Sequence, residues 1–143
     1  MSELIVESNV AEPGPFSFST ASADLLALCS FGYAEPLGSQ HPLAEFIRQV
    51  RTVDAVDVAP LTTFYERDAI DPADAVNLEA AWQDPAPLAV AAAATRAALA
   101  DDPAHAGLRA DFPNLTTLLD ELTAMASWAE AHTAQIRLSF RLR

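Results

Sequence analysis

The chain has 143 residues, of which 51% are hydrophobic and 20% charged, a balance typical of one globular domain, here residues 1–143, rather than of a disordered segment. Its formal net charge of -12 makes a surface that repels nucleic-acid phosphates and anionic membranes, so direct binding to either is not expected. Because no apolar stretch is long enough to span a bilayer and the first residues do not resemble a signal peptide, the expected location is the cytoplasm.

Two short segments near the N-terminus have the character of β-strands. Residues 3–8 (ELIVES) are β-branched in the middle, and residues 15–19 (PFSFS) alternate Phe16 and Phe18 with serines. We expect them to form a loose hairpin, because the proline-rich connection between them is too long for a tight turn.

Helical periodicity begins after residue 19. One helix is predicted from Thr20 or Ser22 to a stop at Gly32, and Cys29, the single cysteine, is expected to pack in its buried face. A second helix is predicted from Pro42, because the apolar residues that follow it are spaced as one stripe: Leu43, Phe46, Ile47 and Val50.

Three Asp-Pro pairs then mark predicted helix starts, since aspartate can cap the helix and proline can occupy the next position, which needs no backbone donor. They are Asp71-Pro72, Asp84-Pro85 and Asp102-Pro103. The alanine-rich residues after the second pair are predicted to form a central packing helix with one buried face: Leu88, Ala92, Thr95 and Leu99.

Residues 107–114 (GLRADFPN) are predicted to break the helical pattern before the clearest helix of the chain. That helix carries an apolar stripe over four turns and is expected to end near His132. The stripe consists of Leu115, Leu118, Leu119, Leu122, Met125, Ala126 and Ala129.

The closing residues 135–143 (QIRLSFRLR) alternate apolar side chains with arginines and one serine, the pattern of an amphipathic strand. We expect this strand to pair with the N-terminal strands. The predicted fold is therefore a mostly α-helical α+β fold, a compact bundle of about five to seven helices with a small terminal β-sheet formed by the N- and C-terminal strands. The arginines are interpreted in one of two ways. They either protect an exposed strand and are favoured beside an acidic body, or they contact an anionic partner or ligand.

Acidity peaks in the middle of the chain. Residues 54–84 hold eight carboxylates against the single cation Arg67, a net charge of -7. This stretch is interpreted either as a solvated surface that includes helix caps or as a docking face for a basic protein. The predicted partner-binding residues are Asp54, Asp57, Glu66, Asp68, Asp71, Asp74 and Glu79.

The sequence contains no motif of a catalytic or phosphate-binding site, and His41, His105 and His132 lack the spacing of a metal site. No catalytic residue, metal or cofactor is predicted, and whether the chain is an enzyme stays open. Aromatic side chains either fill the core or line a pocket between helices, the candidates for such a pocket being Tyr65, Trp82 and Trp128.

Three functional hypotheses follow. The leading one is a non-catalytic interaction protein whose acidic surface binds a basic protein partner, as inhibitors, immunity proteins or accessory proteins do. The second is a small enzyme or small-molecule-binding protein that uses the aromatic pocket. The third is an oligomer-forming subunit, a homodimer that pairs Gln135 to Arg143 with the same residues of a second copy.

Overall fold

The computed structural model describes residues 2–10, 14, 16–68 and 71–142, which form a mostly helical α+β fold, as predicted. The helices are α1 (Ala23–Ala34), α2 (Pro42–Thr52), α3 (Ala59–Thr62), α4 (Pro72–Ala80), α5 (Pro85–Asp101), α6 (Ala106–Asp111) and α7 (Leu115–Ala131). The strands are β1 (Glu3–Ser8), β2 (Phe64–Glu66) and β3 (Ile136–Arg141), and 3-10 turns cover Glu35–Leu37 and Pro103–His105.

The three strands form one sheet in the order β1-β3-β2. β1 runs antiparallel to β3, with Glu3 opposite Arg141 and Ser8 opposite Ile136, so the predicted sheet of the two terminal strands is confirmed. β2, which the sequence did not reveal, pairs with β3 in parallel. The closing strand is consequently the central strand of the sheet and is not exposed at an edge.

The predicted N-terminal hairpin is wrong. Phe16 and Phe18 belong to no strand and pack against the core, where the Phe16 ring meets the Trp128 ring edge-on at 5.3 Å between centroids. β1 pairs with β3 instead because β3 offers six residues with matching apolar alternation and therefore a longer ladder. Residues 11–13 and 15 of the predicted turn lie outside the described residues.

Helices α5 and α7 pack on each other over the most extensive helix–helix interface of the described chain. The predicted inner face of α5 is buried, and so are all seven predicted stripe residues of α7. Alanine at the inner face lets the two helix axes approach closely, which confirms α5 as a packing helix. α7 ends at Ala131, next to its C-cap His132, whose backbone N–H donates to carbonyl oxygens of the last turn; the predicted end near His132 is confirmed.

Two helix boundaries differ from the predictions. α1 does not stop at Gly32 but continues through it to Ala34, because Gly32 serves close packing: a Cβ there would lie 3.2 Å from Thr62 Cγ2. The turn that ends this region uses Gly38, whose φ of 97° favours glycine. The predicted break at residues 107–114 also contains the short helix α6.

Two of the Asp-Pro pairs lie at the starts of α4 and α5 as predicted, whereas Asp102-Pro103 starts a 3-10 turn that precedes α6. Only two of the three aspartates act as caps. The Asp71 carboxylate accepts a hydrogen bond from Asp74 N at 3.0 Å, and Asp102 accepts one from Ala104 N at 2.9 Å in a 3-10 turn. Asp84 occupies the N-cap position of α5 without a side-chain bond to the helix. Within the described residues the carboxylate of Asp84 has no hydrogen-bond or ion-pair partner.

Candidate interaction surface

The arginines of the closing strand bind carboxylates of the same chain. Arg137 is only 9% exposed, and its Nη2 donates to Glu7 Oε1 at 3.0 Å. Its guanidinium also lies over the Trp82 ring, 4.3 Å from the centroid, and donates to the Leu78 carbonyl oxygen at 3.3 Å. Glu7 is shared, because Arg67 forms an ion pair with the same carboxylate. Arg137 is therefore held in place by contacts within the chain.

Arg141 follows the same pattern. Its Nε donates to Asp68 Oδ2 at 3.1 Å, and its Nη1 lies 3.8 Å from Glu3 Oε1. Arg143 lies outside the described residues. Protection of an exposed strand is wrong as an interpretation of these arginines, because β3 is the central strand. The expected attraction of the arginines to acidic groups of the same chain is confirmed, since Arg137 and Arg141 meet neighbouring carboxylates.

Both edges of β3 are occupied, which bears on the hypothesis of a homodimer through Gln135 to Arg143. β1 covers one edge along the whole strand. On the other edge β2 pairs with residues 138–140, and the backbone of Gln83 exchanges hydrogen bonds with Ile136 at 2.9 and 3.0 Å. A second copy of β3 would have to displace one of these segments before it paired.

The predicted partner-binding carboxylates occupy two separate parts of the chain. One set belongs to β2, α4 and the residues next to them: Glu66, Asp68, Asp71, Asp74 and Glu79. In this set Asp68 is paired with Arg141, and Glu79 lies 3.9 Å from Arg137. The other set is Asp54 and Asp57, in the exposed segment that joins α2 to α3.

The three aromatic residues predicted as a possible pocket have different neighbours. Tyr65 is partly exposed on β2, Trp82 covers Arg137, and Trp128 stacks on His132 with 3.9 Å between ring centroids. None of the three is among the residues that line the surface depressions beside helix α5. The structure therefore does not bring them together there.

The outer face of α5 and the segment 53–57 line two neighbouring open depressions of about 740 and 500 Å³, which share Val56 as a lining residue and are together called the α5 groove. From α5 the groove receives a stripe spaced by three or four residues, so that its members share one helix face. The stripe is Ala86, Val90, Ala94, Ala97 and Asp101.

The floor of the α5 groove is apolar, whereas its surroundings are acidic. Val53 and Val90 are 77% and 66% exposed, so both present apolar side-chain surface to water. Five carboxylates line the groove, namely Asp54, Asp57, Asp84, Asp101 and Asp102. The predicted partner-binding residues do not include Asp84, Asp101 and Asp102, because only the tertiary structure brings the 53–57 segment beside α5.

Three of these carboxylates have no protein partner within the described part of the chain: Asp54, Asp84 and Asp101. Asp57 accepts a hydrogen bond from Ala59 N at 3.0 Å, and Asp102 caps a 3-10 turn.

The cationic and titratable side chains near the groove are engaged elsewhere. Arg109 donates to the carbonyl oxygens of Leu99 and Asp102 at 2.6 and 3.0 Å. His105 contacts the Ala98 carbonyl oxygen and Gln49 Oε1, so it ties the end of α5 to α2. Among the residues that the structure describes, no cationic side chain forms an ion pair with a carboxylate that lines the groove.

Within the described residues, no cluster of three or more histidine, cysteine or acidic side chains has an arrangement that would hold a metal ion. The helices described are all too short or too polar to cross a membrane. Comparisons with protein-family models, curated proteins and solved structures find no match to this chain.

Proposed function

We propose that this chain is a cytoplasmic, non-catalytic interaction protein whose acidic surface binds a basic protein partner, in the manner of an inhibitor, immunity protein or accessory protein. One observation carries the proposal: the α5 groove combines an exposed apolar floor with five carboxylates, three of which have no partner among the described residues. An uncompensated acidic rim around apolar area matches a partner with cationic side chains around an apolar centre.

The two features contribute differently to binding. The carboxylates attract a basic partner over roughly 10 Å at 0.1 M salt and raise the association rate, an effect that salt screens. The apolar floor then supplies affinity, because contact removes the exposed faces of Val53 and Val90 from water. Affinity for the partner is therefore expected to fall with salt but not to vanish.

The first experiment is affinity capture with the tagged chain at about 50 and 500 mM salt, followed by binding measurements with the purified partner. We expect basic proteins to be retained at low salt and mostly released at high salt. The double variant Asp54→Asn/Asp101→Asn should weaken binding of that partner by about tenfold.

The matched control is Asp111→Asn/Glu130→Gln, which makes the same change of net charge at exposed positions that do not line the groove. It should change the affinity by less than about threefold. If no basic protein is retained at low salt, or if the retained proteins are insensitive to salt, the proposed function is wrong.

A further inference from the structure

We infer that the α5 groove receives an amphipathic α-helix whose apolar face is flanked by lysine or arginine side chains. This inference rests on the proposed function and makes it specific, since it names both the part of the acidic surface that binds and the conformation of the bound segment. It depends on the backbone that forms the groove, on the size of the residues in the floor and on the position of the carboxylates.

The walls of the groove favour a helical occupant over an extended one. They are formed by helices α2 and α5, by the segment 53–57 and by the 3-10 turn Pro103–His105, and none of these lining residues belongs to a β-strand. An extended peptide lying on the apolar floor would leave its own backbone N–H and C=O groups without partners, which is costly. A helix satisfies its backbone internally and presents only side chains to the groove.

The dimensions agree with a helix lying along α5. The 17 residues of α5 correspond to a length of about 25 Å, so a bound helix of about five turns would cover the groove. Ala86, Ala94 and Ala97 are small enough to let a second helix axis come within about 8–10 Å. Val53 and Val90 are the two large exposed apolar side chains that an occupant of the groove would contact.

The carboxylates specify where the cationic side chains of the occupant should be. Asp84 lies at the start of α5 and Asp101 at its end, so each end of the groove is acidic. The carbonyl groups at the C-terminus of α5 add partial negative charge beside Asp101. Asp54 and Asp57 line the wall opposite α5. The bound helix should therefore carry cations near both of its ends and along the side that faces the 53–57 segment.

The test uses a synthetic 18-residue peptide with leucine and alanine at i, i+3, i+4 and i+7 positions and lysine on both flanks of that face. Its control is the same peptide with one central residue replaced by proline, which prevents one continuous helix. Binding of each peptide to the full chain is followed by fluorescence anisotropy, and the contacted residues are identified by amide chemical-shift changes.

Two variants of the protein separate the groove from simple charge attraction. Val90→Lys places a cation on the groove floor, whereas Val76→Lys places the same charge on α4; the two valines are 66% and 67% exposed, so neither change disturbs the core. We expect Val90→Lys to weaken binding of the helical peptide by about tenfold or more, and Val76→Lys by less than about threefold.

The outcomes distinguish the inference from the proposed function. Shift changes confined to residues 53–57 and the outer face of α5, with loss of binding in Val90→Lys, support the inference. The inference is overturned if both variants weaken binding equally, if the proline control binds as well as the helical peptide, or if the shift changes centre on α4. In each of these cases the proposed function, an acidic surface that binds basic partners, is retained. If captured basic proteins also fail to bind in a salt-dependent way, both ideas are wrong.

Discussion

Replacement of Arg137 by alanine should destabilise the fold far more than a typical loss of a surface arginine. Arg137 is 9% exposed, and it contacts Glu7, the Leu78 carbonyl oxygen and the Trp82 ring. A charge-assisted hydrogen bond at such a site contributes about 2 kcal/mol, and the cation–π contact adds about 1 kcal/mol. Because Glu7 keeps its ion pair with Arg67, its carboxylate is not left wholly uncompensated. The expected loss of unfolding free energy is therefore about 3 kcal/mol.

The assay is urea unfolding followed by circular dichroism and tryptophan fluorescence, with thermal unfolding as a second measure. A loss of about 3 kcal/mol corresponds to a decrease in Tm on the order of 10 °C for a chain of this length. The control is Arg96→Ala: Arg96 Nε lies 3.1 Å from Asp120 Oδ1 in a pair whose side chains are 40% and 57% exposed, and this Nε, although buried itself, makes no hydrogen bond among the described residues. That change should cost less than about 1 kcal/mol.

A double-mutant cycle isolates the ion pair from the packing of the arginine stem. Combining Arg137→Ala with Glu7→Gln should give a coupling energy above about 1 kcal/mol, because the two side chains share a short contact that is largely removed from water. If Arg137→Ala lowers the unfolding free energy no more than Arg96→Ala does, or if the coupling energy is near zero, the contact between Arg137 and Glu7 does not stabilise the fold.

Burial raises the pKa of the Cys29 thiol to about 12, so at pH 8 this residue should react with a thiol reagent only at the rate of unfolding; rapid labelling of the folded chain would contradict this. Asp71→Ala should lower the unfolding free energy by about 1 kcal/mol, because the Asp71 side chain caps α4. Asp84→Ala should leave it nearly unchanged, because the Asp84 side chain does not bond to α5, and equal losses in chemical denaturation would be inconsistent with the observed caps. Gly107→Ala should raise the unfolding free energy by up to about 1 kcal/mol, because a Cβ there meets nothing within 4 Å. Gly38→Ala should lower it by about 1 kcal/mol, because Gly38 has a positive φ, and calorimetry that shows the same sign for both changes would contradict this expectation.

Much of the helical structure could be predicted because its signals are local. The Asp-Pro pairs mark the starts of α4 and α5, and the period of the apolar residues specifies which face of α7 is buried. The predictions that failed depend on distant residues. Gly32 signals a helix end in isolation, but in the fold it allows α1 to pack closely against Thr62 and Ile47.

The candidate site could be predicted only in part for the same reason. The excess of acid in residues 54–84 is visible in the sequence, and it includes Asp54, Asp57 and Asp84. The sequence does not show that Asp68 and Glu79 lie beside arginines of β3. It also does not show that Asp101 and Asp102 line the same groove as Asp54 and Asp57. Proximity between segments some 40 residues apart follows from packing, which no local pattern encodes.

The sequence by itself determined which residues form the closing strand and which of its faces is apolar, because side chains in an extended chain alternate regardless of what surrounds them. The tertiary structure decided that this strand lies between β1 and β2, and so decided what its arginines bind. A guanidinium carried on a strand can face water, an anionic partner or a carboxylate of its own chain. Here the fold brings Glu7 and Trp82 within contact of Arg137, and this burial, rather than the identity of the residue, makes the arginine structural.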